Sequence, residues 1–128
     1  MQPERSPATY DYAVIRVVPR VERGEFVNAG VILACQDASF LDARIELDTA
    51  RLLALDPDAD IATIAQHLAA IPAICAGGKR AGPLAVLSRR ERFDWLTAPR
   101  SALIQTSPVH TGRCGDPLAA LDALMRKM

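Results

Sequence analysis

The spacing of apolar residues changes character about a third of the way along the chain. Tyr10 to Val18 is dense in aromatic and β-branched residues and closes at Pro19, which predicts a strand. Arg23-Gly24 offers a turn in which glycine takes positive φ at little cost. Phe26 to Cys35 predicts a second, largely buried strand, so residues 10–35 suggest a hairpin. Leu41 to Leu47 alternates apolar and charged positions, the pattern of a half-exposed strand in an antiparallel sheet.

Helical spacing then takes over. Thr49 is placed to cap a short helix through Leu55, ended by Asp56-Pro57. Asp60 is placed to cap a longer one, in which Ile61, Ile64, Ala65, Leu68 and Ile71 share a face. Pro72 is expected to end or kink it, and Gly77-Gly78 to stop it. Ser88-Arg89-Arg90-Glu91 fits a capping box, opening a short helix that carries Phe93, Trp95 and Leu96. Pro99 stops that helix, and Ala102 to Thr106 predicts a fourth strand. Asp116-Pro117 starts a last helix, with Leu118, Leu121, Leu124 and Met125 on one face.

The order predicts an α+β fold. Its sheet is mainly antiparallel, with about four strands: a three-stranded meander plus the later strand. Helices pack on one face in a two-layer sandwich. Residues 1–8, with two prolines and no periodicity, read as a loose arm, and residues 9–128 as one domain.

Composition narrows the function classes. Half of the 128 residues are hydrophobic and 23% are charged, as in an ordinary globular protein. The apolar runs, such as Val31 to Cys35, are far too short to span a bilayer. Met1 to Pro7 does not read as a secretory signal, so a cytoplasmic location and no membrane partner are expected. Three widely spaced cysteines, Cys35, Cys75 and Cys114, fit reduced thiols better than a disulfide framework. His110 and Cys114 resemble half of a metal site, but no second half is visible; no metal and no cofactor are expected.

The net charge is zero, yet its distribution is uneven. Seven acids and two arginines lie between Asp37 and Asp60, and seven bases against Glu91 and Asp94 lie between Lys79 and Arg113. The simplest expectation is that these two regions pair with each other. Arg89, Arg90 and Arg92 oppose the dipole of the helix they begin, so a phosphate or acidic-partner surface is the alternative. Nucleic acid is not expected as a partner, because the net charge is zero and there are only six aromatic residues.

Two polar runs interrupt apolar strands. Period two puts Asn28 and Gly30 on the face of Phe26 and Ile32, where a bulge with Asn28 bonded to backbone is the first reading. A shallow patch for a ligand or another backbone is the second. Later, Arg100, Gln105, Ser107 and His110 crowd a short segment with Thr106 and Thr111. A catalytic reading makes His110 an acid or base, Ser107 a nucleophile and Arg100 a stabiliser of negative charge. No GxSxG elbow or phosphate-cradling glycine loop supports it. Turn formation before Pro108 gives the hydroxyls a purely structural role instead.

Three segments carry a resemblance: YDYAVIRVVPRVERGEFVNAGVIL, ERFDWLTAPRSALIQTSPVHTG and CGDPLAALDAL. They resemble the bacterial family known as domain of unknown function 3037, over nearly the whole chain. The resemblance implies a compact bacterial protein and no particular activity, encoded next to HipA-like kinases, a context that favours a partner or regulator role. The leading expectation is therefore a non-catalytic accessory or regulatory module that binds a protein partner or a phosphorylated ligand. Arg23, Asn28, Arg100, Gln105, Ser107 and His110 are its candidate contact residues. A small hydrolase or transferase using His110 and Arg100 is the alternative, and nucleic-acid binding through the arginine-rich later half a weaker one.

Overall fold

The structure, a computed structural model, describes residues 7–128. Five strands are β1 (Ala8–Val17), β2 (Val27–Cys35), β3 (Phe40–Ile45), β4 (Ile104–Thr106) and β5 (His110–Cys114). Four α-helices are α1 (Thr49–Leu55), α2 (Ile61–Ala76), α3 (Arg89–Thr97) and α4 (Pro117–Lys127). Short 3-10 segments cover Val21–Arg23 and Gly78–Val86. The sheet runs β3-β2-β1-β4, and β5 follows β4 along the same edge of β1. Every pairing is antiparallel.

The α+β class and the antiparallel sheet are as expected, and the meander β1-β2-β3 is present. The arm assigned to residues 1–8 lies outside the described residues up to residue 6. At its other end Ala8 already belongs to β1, paired with Cys114. The cap of α1 is Asp48 rather than Thr49, its carboxylate accepting the Arg51 N–H at 3.1 Å while Thr49 is already helical. Pro72 does not end α2. Ile71 and Cys75 are buried on either side of it, and that packing carries the helix on to Ala76. The capping box at Ser88 and the Asp116-Pro117 start of α4 are both formed.

The core has two parts because both faces of β2 are apolar. On one face Ile15, Val17, Ile32 and Ala43 pack under Leu52, Ile64, Leu68, Ile71 and Phe93 of α1, α2 and α3. On the other, Val31, Leu33 and Cys35 with Tyr10 and Tyr12 pack under Leu121, Leu124 and Met125. Thus α4 covers the face opposite the other helices, where a single helical layer was expected. Strand β2 also carries a bulge. Ile15 faces Gly30 but Arg16 faces Asn28, so Ala29 is extra and the side-chain alternation reverses across it. Val27 and Ala29 join Ile32 and Ala34 in the same core, and Asn28 points to the opposite face. Asn28 is exposed there, and its amide makes no hydrogen bond among the described residues.

Arg92 explains part of the arginine run. Only 9% exposed, it donates to the carbonyls of Leu87 at 2.7 Å and Cys75 at 3.5 Å. The carbonyl of Cys75 lies in the last turn of α2, where acceptors lack helical partners. One buried guanidinium therefore ties the end of α2 to the start of α3. Beside it, burial pushes the Cys75 thiol up to about 12, so this thiol stays protonated.

Candidate functional site

The end of the sheet around Arg16 and Gln105 holds the candidate site. Arg16 lies opposite Asn28 in β2 and opposite Gln105 in β4, so the three stand in one row on one face. The turn before β2 shapes one wall of a cleft beside that row. Gly24, at φ 71°, donates its N–H to Arg20 O and Val21 O and returns the chain toward Phe26. Phe26 is 43% exposed, and the Arg16 guanidinium lies 4.2 Å from its ring centroid. The Nε of Arg16 is buried without a hydrogen-bond partner.

The opposite wall follows α3. Arg100 donates Nε to Ala98 O at 3.3 Å and Nη2 to Trp95 O, and its guanidinium lies 4.8 Å from the Trp95 ring centroid. Its local role is to satisfy carbonyls left over at the end of α3. Gln105 likewise donates to Ala102 O at 2.9 Å, bracing the loop before β4. Arg16, Phe26, Arg100, Ser101 and Gln105, with Val18, Val21, Gly24 and Pro99, line a cleft of about 620 Å³. Among the described residues, neither Arg16 nor Arg100 has a carboxylate partner.

The other candidates lie elsewhere. Arg23 pairs with Glu25 at 2.6 Å on the rim of the turn. Asn28 lines a separate recess with Glu46, Asp48, Arg51 and Met128. Ser107 is 3% exposed; its hydroxyl accepts from Val14 N at 2.8 Å and donates to Pro108 O at 2.9 Å. His110 is exposed on β5, opposite Tyr12, with the ring centroids 5.4 Å apart. Neither Ser107 nor His110 lines the cleft that holds Arg100. The structure thus brings Arg100 and Gln105 together and leaves Arg23, Asn28, Ser107 and His110 outside. The two residues missed by the sequence reading are Arg16 and Phe26. The available signal was a lone guanidinium between Ile15 and Val17 in an otherwise apolar stretch.

The arginine run does not pair with the acidic middle of the chain. Among the described residues no ion pair joins residues 79–113 to residues 37–60. Instead Arg90 bonds Asp11 at 2.6 Å and Asp94 at 3.1 Å. Arg20 takes Asp56, while Arg51 takes Asp48. Helix α3 and strand β1 stand close enough for Arg90 to reach Asp11, which a count of charges along the chain does not reveal.

The Arg90 hydrogen bond, helped by one from Thr111, holds Asp11 below its ordinary value of 3.8 against partial desolvation. A depressed folded pKa stabilises the fold above the unfolded value, and that contribution disappears as pH falls through the folded pKa. Asp11→Asn is therefore expected to cost up to about 1 kcal/mol at pH 7, a cost that shrinks as pH falls below the ordinary carboxylate range. Urea unfolding of both proteins from neutral to acid pH checks it; a difference that does not shrink as pH falls would mean the ion pair is not its source.

The family model described as a protein of unknown function, DUF3037, matches residues 12–128. The chain belongs to this family. No curated protein and no solved structure matches it. The matched span of this DUF3037 protein includes the whole cleft, from Arg16 to Gln105. Among the described residues of the DUF3037 chain, no single helix is long and apolar enough to cross a membrane.

Proposed function

We propose that this protein is a non-catalytic binding module whose Arg16–Arg100 cleft takes an anionic group. The observation that carries the reading is the pair of guanidiniums in one cleft, each beside an aromatic ring and without a carboxylate partner among the described residues. Aromatic contact limits the freedom of an arginine while leaving donors for the bidentate bonds that phosphate and carboxylate accept. Ser101 and Gln105 add polar groups to the same lining. The anion is a phosphoryl or carboxylate group on a protein partner or a small ligand, and the family resemblance favours a HipA-like kinase in the bacterial cytoplasm. A catalytic site has less support: the Ser107 hydroxyl is engaged in two hydrogen bonds, and His110 stands apart from Arg100.

Titration with inorganic phosphate and with phosphoserine, followed by the arginine Nε–H signals in NMR, tests this. Arg16 and Arg100 should shift together. Arg16→Ala should weaken binding about tenfold or more, the worth of one charge-assisted interaction. Added salt should weaken it further in the wild type. Unperturbed Arg16 signals, or equal affinity in Arg16→Ala, would remove the cleft from the function.

A further inference from the structure

Arg100 and Gln105 also border a second groove, of about 380 Å³, between α2, α3 and β4. His67, Ala70, Ile71 and Ile74 form one side of it, spaced so that they share a face of α2. Trp95 of α3 and Ile104 of β4 are also part of the lining, which is predominantly apolar.

Alongside this groove the edge of the sheet is open. Val18 N–H bonds Leu103 O at 2.7 Å, and Ser107 N–H bonds Val14 O at 2.8 Å. Antiparallel alternation therefore turns the backbone groups of Gln105 toward β1 and those of Ile104 and Thr106 away from it. Among the described residues the outward N–H groups of Ile104 and Thr106 meet no acceptor. The opposite edge is guarded: on β3 the Asp42 carboxylate accepts the Ala43 N–H at 2.8 Å. Ile104, Gln105 and Thr106 provide no charge or proline to guard theirs.

We propose that this edge docks the C-terminal segment of a partner polypeptide, added to β4 as an antiparallel strand. An apolar side chain of the segment fills the groove between α2 and β4, and its terminal carboxylate binds Arg100. Direction decides the source of the carboxylate. Arg100 precedes β4, so it stands where β4 begins, which is where an antiparallel newcomer ends. Arg100 uses Nε and Nη2 on the carbonyls of Ala98 and Trp95, while Nη1 has no acceptor among the described residues. Strand addition supplies affinity through the backbone, and the groove and the carboxylate supply selectivity. The inference uses Arg100 and the β4 edge and stands without Arg16.

The probe is a synthetic library of random heptapeptides, in free-acid and amidated forms, screened against the full chain. Free-acid peptides with an apolar residue among the last three should be enriched. Amidation and Arg100→Ala should each weaken their binding at least tenfold. Ala70→Glu, at an exposed helix position, should abolish it without unfolding the protein, and Arg16→Ala should leave it unchanged. Bound peptide should slow hydrogen exchange at Ile104 and Thr106. No enrichment over Ala70→Glu, equal binding of amidated peptides, or unchanged exchange at those two amides would each overturn the proposal. Loss of binding in Arg16→Ala alone would move the peptide to the anion cleft, and overturn it too.

Discussion

Gly30→Ala is expected to destabilise the protein by about 3 kcal/mol or more, among the largest effects of any single methyl group here. A Cβ at this position would stand 2.2 Å from the carbonyl oxygen of Arg44 and 3.2 Å from Cδ1 of Ile15. The first contact is with backbone, so no rotamer change relieves it. Strand β3 would have to withdraw from β2, at the point where Gly30 pairs with Ile45. The neighbouring Ala29→Gly removes a buried methyl and leaves the close approach intact, so its cost should be about 1 kcal/mol. Chemical denaturation of the two variants separates the explanations. Similar losses for both would mean that glycine at position 30 reflects local flexibility and not the proximity of β3.

Ser107→Ala is expected to cost about 2 kcal/mol, and His110→Ala less than about 0.5 kcal/mol. Ser107 sits where the edge of β1 passes from β4 to β5. Its backbone N–H donates to Val14 O, and its hydroxyl accepts the Val14 N–H in place of a backbone carbonyl. Alanine would leave the N–H of partly buried Val14 without an acceptor. Ser107→Thr keeps the hydroxyl and should recover part of the loss. His110 is exposed, its strand pairing with Tyr12 is made by the backbone and its ring contact with Tyr12 lies at the surface, so truncation removes little. Equal thermal midpoints for wild type and Ser107→Ala would mean that the hydroxyl does not complete the sheet.

Much of the fold was legible because its signals are local. The strands of the meander and the caps at Asp60, Ser88 and Asp116 each follow from a few adjacent residues. Strand β5 was not legible: His110, Thr111, Gly112, Arg113 and Cys114 show no apolar alternation, and their pairing with β1 alone makes them a strand. Gly112 is suited to that place because the Tyr10 ring lies over it, 2.5 Å from where a Cβ would be. The placement of α4 was equally hidden. An apolar β2 accepts a helix on either face, and the bulge at Ala29 reverses the alternation without changing composition.

The candidate site was half legible for a related reason. Arg100 and Gln105 stand out in the sequence as surplus polar residues, and they do border the cleft. Each also has a local role that the sequence concealed, one on the carbonyls ending α3 and one on Ala102 O. Arg16 carries only a weak signal in the sequence, because a single charge in a strand is commonplace. Its meaning depends on Phe26, ten residues away, and on Gln105, brought beside it by β4.

Strand β1 has a consequence for synthesis on the ribosome. One of its edges is satisfied at once by β2, but the other waits for β4 and β5, with Ala8 pairing to Cys114. Until residues 104–114 emerge, a nascent chain carries β1 with one side open, flanked by a nearly continuous apolar β2. Such an edge recruits other strands. The long sequence separation of the closing pairs makes the final step slow relative to the hairpin. Chains stalled before Ser101 should be held by chaperones or aggregate, whereas chains in which residues 104–114 have emerged should close the sheet and escape both fates.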